Sequence, residues 1–151
     1  MKKEFFVDKL RVVITDTRDE MGAAAASDAA EYMRAQIAKL GGISAIFAAA
    51  PSQNEVLEHV SHADIDWSKV TAYHMDEYVG LAPDAPQRFA RYLDEHIFSK
   101  VNFGKVNYLA GDDGKLNPVY SDMFTHNRAD ICFLGIGENG HIAFNDPPVA
   151  D

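Results

Sequence analysis

The sequence predicts an α/β protein, a three-layer, Rossmann-like, mostly parallel sheet with helices on both faces. Three observations predict it. Short apolar runs rich in β-branched residues recur at positions 10–15, 43–49, 70–75, 105–109 and 131–136. Segments with the 3.6-residue helical period lie between most of them. The run at 43–49 has no polar alternation, which is expected of a strand covered on both faces of a parallel sheet. Strands alternating with helices pair in parallel through right-handed crossovers.

The first strand is read at 10–15. Thr17 caps the helix that follows, and Glu20, three residues on, completes a capping box. That helix runs to about residue 40. Ala26, Ala30, Met33, Ile37 and Leu40 form its inward stripe, with Asp28, Glu31, Arg34 and Lys39 facing water. Gly41-Gly42 ends it. After the second strand, Pro51-Ser52-Gln53-Asn54-Glu55 reads as another capping box, with Ser52 as cap, opening a helix to about residue 59. The third strand, 70–75, leads into a loop over 76–86. A helix is read at 87–98 with Phe89, Leu93 and Ile97 inward, and a fourth strand at 105–109. The 111–130 segment holds at most a short helix, begun by Pro118. The last strand, 131–136, has no helix after it, and Asp146-Pro147-Pro148 opens no further element. Residues 1–151 are therefore read as a single domain that is the N-terminal part of a longer one.

A formal net charge of -9 argues against nucleic acid or an anionic membrane as partner, because both need clustered Lys and Arg. No apolar run approaches the length of a membrane span, and Phe5-Phe6-Val7 is too short for a signal peptide, so the cytoplasm is expected. Cys132 is the single cysteine, so no internal disulfide forms. It lies in an apolar strand and is expected to be a buried, inert thiol.

Three segments can carry chemistry, and each lies at the carboxyl end of a strand, where open α/β sheets bind ligands. In Gly135-Ile136-Gly137-Glu138-Asn139-Gly140-His141, three glycines let the backbone turn and approach a ligand before delivering an imidazole. Asn139 and Asp146 are near enough in sequence to orient that ring. The Gly135-x-Gly137-x-x-Gly140 spacing also fits a dinucleotide fingerprint. It follows the last strand instead of the first, and no ribose-binding acid comes after it. In His74-Met75-Asp76-Glu77-Tyr78-Val79-Gly80-Leu81, adjacent carboxylates point in different directions. One can serve as a general base in a dry pocket while the other anchors the loop. In Ala48-Ala49-Ala50-Pro51-Ser52-Gln53-Asn54, a helix N-terminus and the Ser52 hydroxyl suit a phosphate. The six histidines are scattered and no ligand set for zinc is expected.

Met75-Asp76-Glu77-Tyr78-Val79-Gly80-Leu81 and residues 135–147 together resemble the glucosamine-6-phosphate deaminase/isomerase family, part of a superfamily that also holds 6-phosphogluconolactonase. The lactonase branch would carry Asp-Glu-Arg and Gly-His-Thr, where this chain has Tyr78 and Ile142. The resemblance implies conversion of glucosamine 6-phosphate, or a close hexosamine phosphate, to a ketose phosphate plus ammonia, with no metal or organic cofactor. It implies Asp76 as the base at C2 and His141 as the group that assists ring opening. Asp146 would help set the state of the histidine, and Asn139 is the fourth residue expected in the catalytic set. Asp146 stands where the family usually has glutamate, and Asn139 where some members have aspartate. Ser52, Gln53, Glu77, Gly137 and Gly140 are the expected substrate-binding residues. The alternatives are a 6-phosphogluconolactonase-like hydrolase, another hexose-phosphate isomerase, or a sugar-phosphate sensor that binds without turnover. A homo-oligomer is the expected assembly.

Overall fold

The computed structural model describes residues 3–111, 115–126 and 128–147. Part of the crossover expected to hold at most a short helix (112–114 and 127) and Pro148 of the terminal Asp146-Pro147-Pro148 lie outside the described residues. The strands are β1 (Lys3–Val7), β2 (Leu10–Ile14), β3 (Ile43–Phe47), β4 (Val70–His74), β5 (Lys105–Asn107) and β6 (Ile131–Phe133). The helices are α1 (Arg18–Leu40), α2 (Asn54–Ser61), α3 (Phe89–Leu93) and α4 (Val119–His126).

Four strands form one parallel sheet in the order β5-β4-β3-β6. The expected fifth member is elsewhere. β2 pairs antiparallel with β1, in the register Val7 to Leu10 and Lys3 to Ile14, as a separate two-stranded ribbon. Asp8, at φ 51°, makes the turn. An apolar run of five residues suits a central parallel strand and a hairpin strand equally well, so periodicity alone misassigned it.

α1 begins as its sequence predicts. The Thr17 hydroxyl accepts from the Glu20 N–H at 3.1 Å, and the Glu20 carboxylate reaches back to the Asp16 N–H at 3.0 Å. Gly41, at φ 80°, ends the helix by donating its N–H to the Ile37 carbonyl at 2.8 Å. Its buried stripe is Gly22, Ala26, Ala30 and Met33; Ile37 is half-buried against the core, and Leu40, expected inward, is exposed. A side chain at Gly22 would come within 2.5 Å of Glu55 Cβ. Glycine there lets α1 and α2 close together.

The core lies between one sheet face and helices α1, α2 and α3. Phe47 is fully buried at its centre, stacked on Phe133 at 4.8 Å and edge-on to Phe98 at 5.7 Å. Each large side chain buried this way contributes roughly 1.5–3 kcal/mol. β3 is less enclosed than its apolar run predicts: Ile43, Ala45 and Phe47 are buried, while Ser44 and Ile46 are half-buried. α4 lies against the second face, where Tyr120 meets Tyr73 edge-on at 5.6 Å. Cys132, expected to be buried, is exposed on that face. The helix predicted over 87–98 is α for five residues and then a π-helical turn, Asp94–Phe98. None of the helices among the described residues is long and apolar enough to cross a membrane.

Candidate functional site

Parallel pairing brings the carboxyl ends of β3, β4 and β6 side by side, with Phe47 opposite both His74 and Phe133. The three chemistry-bearing segments therefore leave the sheet at one edge. Between them lies a cleft of about 580 Å³, lined by Asp76, His141, Ser52, Gly137, Glu138 and Arg18 on its polar side. Tyr78, Phe89 and Phe144 form an aromatic wall, with Tyr78 and Phe89 at 4.8 Å and Phe89 and Phe144 at 6.2 Å.

Asp76 is half-buried. Burial, and then the neighbouring Glu77 charge, push its carboxyl above the usual aspartate range. Glu77 turns the other way. Its carboxylate accepts from the N–H groups of Tyr78 (3.0 Å), Phe89 (2.9 Å) and Ala90 (3.0 Å), with Arg88 Nε at 3.6 Å. Its side chain is only 1% exposed, so Glu77, expected to bind substrate, is instead the anchor of the 76–86 loop on α3.

His141 is held by its own loop. Asn139 Oδ1 lies 2.6 Å from His141 Nδ1, and Asp146 Oδ1 lies 3.1 Å from the same nitrogen. Both oxygens can only accept from it, so Nδ1 carries the proton. Nε2 is then the nitrogen left to exchange a proton with a ligand. The Asn139 amide also donates to Asp146 at 3.0 Å, closing a three-residue cluster behind the ring. A Cβ at Gly137 would lie 2.1 Å from His141 Cε1, so only glycine lets the imidazole lie over the loop. Gly140 is the exposed turn residue before the histidine, at φ 86°, and is not among the lining residues.

The loop after β3 differs from expectation. Ser52 lines the cleft but makes no cap; residues Pro51–Gln53 form a 3₁₀ turn, and α2 starts at Asn54 without a side-chain cap. Gln53 is buried, packed against Gly135, and is not presented to the cleft. Glu55 fails as the predicted capping acid because Arg18 holds it. Arg18 Nε and Nη2 each donate to the Glu55 carboxylate at 2.8 Å, and Nη2 also donates to the Pro51 carbonyl at 2.9 Å. The pairing holds the Glu55 carboxyl down to about 2.

Arg18, Glu138 and the aromatic residues Tyr78, Phe89 and Phe144 are lining residues that sequence reasoning missed, and for Arg18 a signal existed. The signal was its position. A cation in the first turn of a helix opposes the macrodipole, so its partner had to lie outside α1. Among the described residues, no group of three His, Cys, Asp or Glu side chains could hold a metal ion.

This arrangement can be set against known proteins. The family model for glucosamine-6-phosphate isomerases/6-phosphogluconolactonase matches residues 16–144. A glucosamine-6-phosphate deaminase of Lactobacillus delbrueckii subsp. bulgaricus is 31% identical over 144 residues, covering 91% of this chain and 58% of that one. Among solved structures, a monomeric glucosamine-6-phosphate deaminase superposes with a TM-score of 0.74 at 20% identity, over 89% of this chain and 58% of the other. A 6-phosphogluconolactonase from Plasmodium vivax superposes with a TM-score of 0.78 at 12% identity, over 97% and 55%. The chain thus spans a little over half the length of the relatives it matches. The matched stretch contains both Asp76 and His141, and it runs from the cap of α1 to the aromatic wall of the cleft. By that match, the chain belongs to the glucosamine-6-phosphate isomerase/6-phosphogluconolactonase family.

Proposed function

We propose that the protein is an amino-sugar phosphate isomerase and deaminase, converting glucosamine 6-phosphate or a close hexosamine phosphate to the ketose phosphate and ammonia. The observation that carries this reading is that Asp76 and His141 line one cleft, one with a raised carboxyl and the other with its Nδ1 held by Asn139. His141 Nε2 takes the proton of the C1 hydroxyl and returns it to the ring oxygen, which opens the pyranose. Asp76 takes the proton from C2 while the C2 ammonium gives one to O1, forming an enolamine, and then delivers its proton to C1, which leaves an iminium at C2. Water then replaces nitrogen at C2, so ammonia leaves as the ketone forms. A carboxyl lifted by a partly dry site is a better base for a carbon acid than an ordinary aspartate. Ser52 is the hydroxyl in the cleft that suits the substrate phosphate, while the Arg18 guanidinium beside it is committed to Glu55.

The lactonase reading is kept by one feature: an imidazole with a free Nε2 can also activate water. It leaves the raised Asp76 carboxyl without a task. Assaying ammonia release from a panel of hexosamine 6-phosphates beside acid release from 6-phosphogluconolactone separates the two. Ammonia from a hexosamine phosphate is the expected result. Acid release alone overturns the proposal in favour of the lactonase, and a ligand-induced thermal shift with neither product points to a sensor.

A further inference from the structure

The residue before the Met75-Asp76 step does something that no part of the proposed chemistry uses. His74, the last residue of β4, is 1% exposed. Its Nδ1 lies 2.9 Å from the main-chain carbonyl of Asp76, and its Nε2 lies 2.7 Å from the N–H of Leu109. A carbonyl can only accept and an N–H can only donate. The ring is therefore neutral, protonated on Nδ1 and bare on Nε2, and the main chain fixes this at both ends. The backbone N–H of His74 in turn donates to the Tyr120 hydroxyl at 3.1 Å, and that hydroxyl donates to the Asn107 carbonyl at 2.6 Å. Tyr108 and Tyr120 pack edge-on to the imidazole at 6.1 and 6.0 Å. One side chain thus ties the peptide of Asp76 to the segment that follows β5.

We propose that His74 is a positioning residue for Asp76: its Nδ1–H fixes the Asp76 main chain, and so sets where the carboxylate enters the cleft. This rests on the reading of Asp76 as the base. Burial holds the imidazole below its ordinary pKa, and among nearby charges Glu77 and Asp94 favour its protonation while Arg88 opposes it. A proton on Nε2 would break the bond from Leu109, so the neutral form is the one that holds the turn.

Two substitutions separate the two ends of the ring. In His74→Asn, the amide nitrogen can occupy the place of Nδ1 and keep the bond to Asp76. In His74→Gln, the longer side chain can put its oxygen at the place of Nε2 and keep the bond from Leu109. Each loses one bond, so a merely structural role predicts the same loss in both. The proposal predicts that kcat for ammonia release falls about tenfold or more in the glutamine variant, with KM changed less than about twofold, and stays near wild type in the asparagine variant. Carboxyl ¹³C titration of Asp76 should remain raised in the asparagine variant and move toward the ordinary range in the glutamine variant. Equal behaviour of the two overturns the proposal. If wild type releases no ammonia, the reading of the reaction fails, and the Asp76 titration still decides the role of His74. Imidazole ¹⁵N spectra of wild type test it independently of any variant: an Nε2–H tautomer would sink it.

Discussion

The turn carrying Asp76 and the loop carrying His141 face the same cleft, but they are held by different means. Behind Asp76 stand buried groups tied to distant segments: Glu77 to the start of α3, and His74 to Leu109 across the sheet. The His141 loop is local. Its ring is oriented by Asn139 and Asp146, both exposed, and its backbone folds on itself through bridges of Ile136 to Ile142 and Ile142 to Asn145. The Asp76 turn is thus set by the body of the protein, and the His141 imidazole by its immediate neighbours. Stability and activity should be coupled on the first side and separable on the second.

Asp76→Asn is the most severe test. It removes the base but none of the anchors, so ammonia release should fall by about a thousandfold or more, with little change in melting temperature. Near-normal turnover would break the assignment. Glu77→Ala should next cost about 3 kcal/mol in urea unfolding, since it strands three N–H donors and the Arg88 charge. Activity should drop with it; loss of activity at unchanged stability would show that Glu77 serves substrate directly. On the other side, Asn139→Ala should lower kcat about tenfold while unfolding stays within about 0.5 kcal/mol of wild type. A large destabilisation there would erase the contrast.

The smallest effect is in pH dependence. The carboxyl of Asp76 is raised in the folded state, so between the ordinary aspartate pKa and the raised one the native protein binds more protons than the unfolded chain. Its contribution is present at low pH and lost as pH rises through the folded-state value. Relative to Asp76→Asn, wild type should therefore lose stability over the window that opens at the ordinary aspartate pKa, about 3.9, and closes at the raised one. Unfolding free energies measured across that window check the sign.

The parallel sheet was legible because β3 and β4 are apolar runs separated by a helical period, and both lie where they were read. The ribbon of β1 and β2 was not. Its Phe5, Phe6, Val7, Leu10 and Ile14 are all exposed, so its apolar character reports no burial. The Asp76 and His141 segments were legible because chemistry-bearing residues follow strand ends. Division of labour within Asp76-Glu77 was not, because which carboxylate turns inward depends on the unpaired N–H groups of α3. The Ser52 cap failed for a similar reason, since Glu55 is claimed by Arg18, 37 positions away in sequence.

The exposed thiol of Cys132 has a practical consequence. It is the sole sulfhydryl in the chain, and it shares an apolar cavity of about 330 Å³ with His74 and Met75, behind the turn that leads to Asp76. A maleimide dye would attach at one defined point per molecule. Because Met75 also lines the neighbouring cleft, a change in the dye's emission on adding hexosamine phosphates would offer a test of the proposed binding that needs no product to accumulate.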